Sequence, residues 1–209
     1  MAAATATVAS ASAAQNGPGV VPLAPAQPGG LPADFQMART GKGASAAWNV
    51  VADSNAQGGQ LLVQTSTDQT DYRFPLAIYN GVTAANVEVT VRFKAVGDRI
   101  DRTGDIAARL ADPDNYYVLR ANALEDNVNF YRVVQGSRRE IHGVSAKVTS
   151  DQWHTLSLRA EGERFTVGID GVTLFTATDR TFSGAGKVAL WTKADSVTQF
   201  DGLTIRALP

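Results

Sequence analysis

Asp112-Pro113-Asp114-Asn115-Tyr116-Tyr117-Val118-Leu119-Arg120-Ala121-Asn122 is followed shortly by Asn127-Val128-Asn129-Phe130-Tyr131-Arg132-Val133-Val134-Gln135-Gly136. Both runs are rich in aromatic and β-branched residues and are bounded by turn formers, the signature of strands. In the first run Tyr117, Leu119 and Ala121 form the more apolar alternate set. They should face a core, which turns Tyr116, Val118, Arg120 and Asn122 to the other side of the sheet.

The same pattern runs from Ala47 onward. Candidate strands are Leu61–Thr65, Arg73–Tyr79, Val87–Ala95, Asp105–Leu110, Tyr116–Asn122, Val128–Val134, Arg139–His142, Trp153–Ala160, Phe165–Asp170, Thr173–Thr178, Lys187–Thr192 and Gln199–Arg206. Asp170-Gly171 suits a tight hairpin. Alternation points Leu156, Leu158 and Ala160 inward with His154 at their rim, then Phe165, Val167 and Ile169, then Val188 and Leu190. Trp191 and Lys193 fall on the opposite face. So many short strands imply an all-β sandwich or barrel.

The front of the chain reads differently. Residues 1–33 carry no charged side chain and hold Pro18, Pro22, Pro25, Pro28 and Pro32. Residues 1–14 read as a signal-peptide-like remnant or an Ala-rich tail, with Ala9-Ser10-Ala11-Ser12-Ala13 resembling a cleavage region but no basic start before it. Residues 15–33 read as a Pro/Gly/Ala linker, which leaves 34–209 for the sandwich. The export reading is preferred, placing the protein in the periplasm or outside the cell. No apolar run approaches the roughly 18 to 20 residues that span a bilayer.

Composition narrows the chemistry. In 209 residues, Lys+Arg 19 against Asp+Glu 20 gives a net charge of -1, so nothing marks a nucleic acid or an anionic membrane as partner. With Cys 0 there is no thiol nucleophile, disulfide or cysteine-bound metal. The two histidines, His142 and His154, belong to no H-E-x-x-H motif, and no G-x-S-x-G or phosphate loop is present.

What remains is a sheet face of aromatic and hydrogen-bonding side chains, which suits a neutral carbohydrate. Tyr116, Arg120, Asn122, Tyr131, Trp191, Lys193 and Asp195 are the candidate ligand-binding residues. Aromatic planes stack on sugar C–H faces while Arg, Asn, Lys and carboxylates bond hydroxyls. The isolated Arg132, Arg138 and Arg139 read as a solvated hairpin end. Asp195, Asp201, Glu125 and Asp105 are the carboxylates to weigh for catalysis, and hydrogen bonding to loop backbone is the preferred role.

The two opening blocks, with Trp153-His154-Thr155-Leu156, Gly186-Lys187-Val188-Ala189-Leu190-Trp191-Thr192-Lys193-Ala194-Asp195-Ser196 and Phe200-Asp201, resemble bacterial concanavalin A-like, laminin-G-like domains. Among these the chain is similar to the 3-keto-disaccharide hydrolase domain family, from Ala47 to Pro209. The resemblance implies a jelly-roll with one concave sheet and ligand on its concave face or rim. Its glucanase members use an E-x-D-x-x-E run, which is missing here. Three functions follow as alternatives: a lectin-like binding module, a hydrolase of 3-keto-glycosides with Lys193, Asp195 or His154 as catalytic candidates, and a surface or assembly domain making protein contacts. No cofactor is expected, save that laminin-G-like relatives imply a rim calcium ion, for which Asp112, Asp114 and Asn115 are the candidate ligands. That loop carries Tyr117 where an EF-hand loop has Gly, and it reads better as an Asx turn.

Overall fold

The computed structural model describes residues 19–25, 29–97 and 99–209. Two antiparallel sheets form a sandwich, and no helix occurs among the described residues. The strands are β1 (Gly19–Val20), β2 (Phe35–Gly41), β3 (Trp48–Ala52), β4 (Gln60–Gln64), β5 (Arg73–Ala84), β6 (Val87–Gly97), β7 (Thr103–Asp112), β8 (Asn115–Asn122), β9 (Asn127–Val134), β10 (Ser137–Ser145), β11 (His154–Glu161), β12 (Arg164–Ile169), β13 (Val172–Thr178), β14 (Gly186–Trp191) and β15 (Val197–Ala207). The first sheet runs β13-β12-β11-β6-β15-β4-β3 with β1 on β15, and the second runs β10-β9-β8-β7-β14-β5-β2.

Period-two alternation places the main core between the sheets. Tyr117, Leu119 and Ala121 from β8 meet Leu156, Leu158, Phe165 and Val167 from the first sheet, with Val188 and Leu190 from β14. The sheets approach so closely at Gly104 that a Cβ there would fall 2.1 Å from the Phe93 ring. The Asp170-Gly171 turn joins β12 to β13 with φ of 50° and 79°, the two left-handed residues that a type I′ hairpin requires.

The front of the chain corrects the expected boundary. Residues 19–25, assigned above to a linker, are built into the sandwich: Gly19 and Val20 pair with Ile205 and Thr204, and Val21 donates its N–H to Leu203. Val21 and Leu23 are buried in the main core, so spaced prolines here bracket a strap with two apolar anchors. The expected tail, residues 1–14, lies outside the described residues.

The second sheet is rolled upon itself. Its strands β8 and β2 stand four places apart, about 19 Å on a flat sheet at roughly 4.8 Å per strand. Yet Tyr116 of β8 and Thr40 of β2 share a hydrogen bond of 2.8 Å between their hydroxyls. Thr40 also donates to the Pro113 carbonyl in the β7–β8 turn, and Arg138 of β10 donates its backbone N–H to the Tyr72 hydroxyl at 3.0 Å. The face turned away from the main core is therefore concave, and at this end it closes over a second core of Phe74, Leu76, Tyr116, Val118, Val133 and Trp191.

Candidate functional site

Rolling of the sheet decides what the expected binding face presents. Trp191 is fully buried, stacked on Phe74 at 4.8 Å, and donates its indole N–H to Tyr116 Oη at 2.9 Å. Tyr116 is equally buried, and that burial pushes its phenol well above the ordinary tyrosine range. Neither ring has a free face, so the expected stacking of these two on a sugar is replaced by stacking on the chain itself. Arg138 completes the cover, its guanidinium 4.6 Å from the Tyr131 ring centroid, 5.1 Å from Phe74 and 5.9 Å from Trp191. Sequence reading assigned Arg138 to a solvated hairpin end, and the structure folds it inward over the aromatic bowl.

The opposite end of the concave face is polar. Asp105, Arg120 and Asn129 lie directly across from one another on β7, β8 and β9, and Thr103, Asn122 and Asn127 form the next row. Arg120 bonds Glu125 and Asn127, sits 3.7 Å from Asp101 and faces the Tyr131 ring at 5.7 Å. Asn122 donates to Asp101 at 2.7 Å, and Lys193 pairs with Asp101 and, at 3.5 Å, with Asp71. Burial raises Asp105 well above the usual carboxylate range, against the pull of Thr103, Arg120 and the Ala121 N–H. Burial also raises Asp101, against the pull of Lys193 and Arg120. For Arg120 burial acts to lower the pKa, but the surrounding Tyr131, Glu125, Asp105 and Asp101 outweigh it and hold the guanidinium charged.

Four polar atoms of this face are buried without a hydrogen-bond partner: Asp105 Oδ2, Arg120 Nε, Asn129 Oδ1 and Arg138 Nη1. Buried polar groups are nearly always satisfied by protein or by ordered water, so these atoms on adjoining strands are the unmet hydrogen-bonding positions of the face. The end reaches solvent through Glu125, whose side chain is 48% exposed. Sequence reading found Arg120, Asn122, Tyr131 and Lys193 of this group. It weighed Asp105 and Glu125 only as catalytic carboxylates and missed Asn129 and Asp101.

Asp195 is buried and engaged by backbone. Its oxygens accept the backbone N–H groups of Arg99, Ile100 and Asp101 at 3.1 to 3.2 Å, which shapes the loop that carries Asp101. His154 is a latch on the other sheet: Nδ1 meets Asp170 Oδ2 at 2.7 Å and Nε2 accepts the Thr149 N–H at 2.9 Å. Lys193, Asp195 and His154 are thus each engaged separately, with no hydrogen bond among them. The Asp112 loop is an Asx turn, since Asp112 Oδ1 accepts the Asp114 N–H at 2.8 Å and Asn115 donates to both Asp112 oxygens at 3.0 Å. Asp112 is thus engaged within its own turn, and no group of three or more His, Asp or Glu is poised for a metal among the described residues.

An all-β sandwich with one rolled, polar-ended concave sheet is the architecture of the galectin-like and concanavalin A-like carbohydrate-binding domains. Within that class the chain belongs to the family of the galactocerebrosidase C-terminal lectin domain, whose model matches residues 76–208. The expected concanavalin A-like carbohydrate-binding sandwich is thus found at the level of the fold. Among solved structures, the carbohydrate-binding module CBM66 from Bacillus subtilis superposes with a TM-score of 0.65 at 18% identity, covering 89% of this chain and 100% of that one. A Bacillus licheniformis β-glucanase gives 0.56 at 14% identity, with 84% and 92% covered. Domain 4 of the extracellular arabinanase AbnA from Geobacillus stearothermophilus, solved with arabinotriose, gives 0.53 at 17% identity, with 82% of each chain covered. At these identities the likeness is one of fold. No curated protein matches the chain.

Proposed function

We propose that the chain is an exported, lectin-like module that binds a neutral glycan at the polar end of its concave sheet. The observation that carries this reading is the cluster of buried, unpartnered atoms on Asp105, Arg120, Asn129 and Arg138. Arg120 Nε and Arg138 Nη1 offer donors, Asn129 Oδ1 and Asp105 Oδ2 are unmet oxygens, and a sugar hydroxyl, being both donor and acceptor, can meet either kind. Charges of both signs are paired within the group, Arg120 with Asp101 and Glu125 and Lys193 with Asp101, which favours an uncharged ligand. The family match supports carbohydrate as the partner, and the extracellular origin of AbnA agrees with export.

The test is calorimetric titration with galactose and arabinotriose, the first suggested by the family and the second bound by AbnA domain 4. Asn129→Ala removes an unpartnered acceptor from a half-buried side chain, so the fold should persist while affinity falls at least tenfold; Arg120→Ala should abolish binding at this site. Unchanged affinity in both variants refutes the assignment. Hydrolysis of 3-keto-glycosides, the alternative, is checked by incubating the protein with a 3-keto-disaccharide with and without chelator. No turnover is expected, because Lys193, Asp195 and His154 do not converge.

A further inference from the structure

The first sheet carries, on its solvent face, a second cluster of unmet polar atoms. Phe93 and Phe200 point into the main core, so their neighbours Arg92, Lys94, Gln199 and Asp201 point outward. Lys94 stands opposite Gln199, and Arg92 opposite Asp201. Trp153, one residue before β11, lies beside them with Arg92 4.6 Å and Lys94 5.2 Å from its ring centroid. Unlike Trp48 and Trp191, which are fully buried, Trp153 is only half-buried.

Gln199 Oε1 and Asp201 Oδ1 are buried there without hydrogen-bond partners. Asp201 is wholly inaccessible; its Oδ2 accepts the Gln57 N–H at 2.8 Å, while Arg92 Nε stays 3.5 Å from Oδ1 as an ion pair. Beyond Asp201 opens a groove of about 460 Å³, lined by Gln57, Gln60, Gly202, Thr204 and the strap from Val20 to Ala24. Gly202 keeps its floor clear: a Cβ there would fall 2.4 Å from Gln57 Oε1. From Trp153 across Lys94 to Gln199 the surface spans two strand spacings, about 10 Å, and the groove extends it further.

We infer that this surface is a second carbohydrate site, independent of the concave one, that takes a neutral oligosaccharide lying across β6 and β15. The unmet groups are both acceptors, so the guest must bring O–H or N–H donors, and an anionic ligand would set acceptor against acceptor. Trp153 supplies an aromatic platform for a sugar C–H face. Lys94 has no ion-pair partner among the described residues, and its ammonium can donate to a ring or hydroxyl oxygen. The chain becomes bivalent, with sites on opposite faces of the sandwich, and gains avidity for polymers that present many sugar ends.

The inference rests on the carbohydrate reading, and the test separates the two. Galactose and arabinotriose are titrated calorimetrically into the wild type, an Asn129→Ala/Arg120→Ala variant and a Trp153→Ala/Gln199→Ala variant, with Trp153→Phe to keep the platform and thermal denaturation to confirm folding. Two equivalents per chain are expected for the wild type and one for each double variant, with Trp153→Phe retaining both. A single equivalent that disappears with Arg120 and is indifferent to Trp153 and Gln199 overturns the second site and leaves the concave one standing. In that case Gln199 and Asp201 hold buried water only. Binding that disappears with Trp153 and Gln199 alone sustains the second site and refutes the concave assignment. No heat with either sugar overturns both.

Discussion

Replacing Trp191 by alanine separates a buried-core role from a sugar-stacking role. The indole is fully inaccessible, packed between Phe74 and the Arg138 guanidinium, and donates to Tyr116 Oη. Truncating a buried tryptophan costs about 3 to 5 kcal/mol through lost transfer energy and the residual cavity. The Tyr116 hydroxyl keeps its 2.8 Å bond to Thr40, so little further penalty for an unsatisfied group arises. For a chain of this size each kcal/mol lowers Tm by roughly 2 to 4 °C, giving a fall of about 6 to 20 °C. Urea denaturation followed by circular dichroism measures the free energy, and sugar titration well below the lowered midpoint measures affinity. The expected outcome is a large stability loss with carbohydrate binding by the folded fraction largely kept. A stability change below about 1 kcal/mol together with abolished binding would falsify the closed sheet, because it would mean that the indole meets ligand in solution.

Three further outcomes follow from the packing. Arg73 is fully buried and donates to the carbonyls of Ala44, Ser45 and Ala194 at 2.7 to 2.9 Å, so Arg73→Ala strands three acceptors at about 1 kcal/mol or more each, and urea denaturation should show a loss of at least about 3 kcal/mol. Gly186→Ala puts a Cβ 2.4 Å from the Arg109 carbonyl carbon, a backbone clash at the β7 bulge that should lower stability by about 1 to 3 kcal/mol in the same assay; wild-type stability would refute the close approach. Asp105 is raised by burial, so the folded chain binds its proton more tightly than the unfolded chain does. Its favourable contribution is whole below the ordinary carboxylate value of 3.8 and is lost as pH rises toward the folded value. Asp105→Asn should therefore gain on the wild type as pH rises from 3.8 toward the folded value; a gap that does not move with pH counts against the raised Asp105 pKa.

Much of the sandwich is legible in local alternation, because the side-chain period of a strand needs no knowledge of its neighbours. The inward sets of β8, β11, β12 and β14 read from sequence are the ones found in the main core. Strands β2 and β3 escape such a reading. Phe35-Gln36-Met37-Ala38-Arg39-Thr40 alternates weakly, and it is held as a strand by its ladder to β5. The strap at residues 19–25 escapes for the same reason, since only β15 reveals why a proline-flanked Val21 and Leu23 are inside. The second core had a signal that parity alone hides. Phe74-Pro75-Leu76-Ala77-Ile78, Tyr116-Tyr117-Val118-Leu119 and Val188-Ala189-Leu190-Trp191 are apolar at both parities. Continuous apolar runs belong to strands covered on both faces, and these strands, β5, β8 and β14, lie in one sheet. The partners of Arg120 were not legible, since Asp101, Asp105 and Asn129 meet it only through register and a long loop.

The distribution of tryptophan ties these observations to recognition. Trp48 packs on Phe200 in the main core and Trp191 on Phe74 in the second, so two of the three indoles hold the two cores together. The concave site is left with Tyr131, itself buried and faced by Arg120 and Arg138. A sugar there would be read chiefly through hydrogen bonds to Arg120, Asp105, Asn129 and Arg138, and discrimination would depend on hydroxyl configuration. Trp153, the half-buried indole, stands on the other sheet beside a different set of unmet acceptors. If the two proposed sites hold, the rolling that buries Trp191 separates hydroxyl readout and aromatic stacking onto opposite faces of one domain.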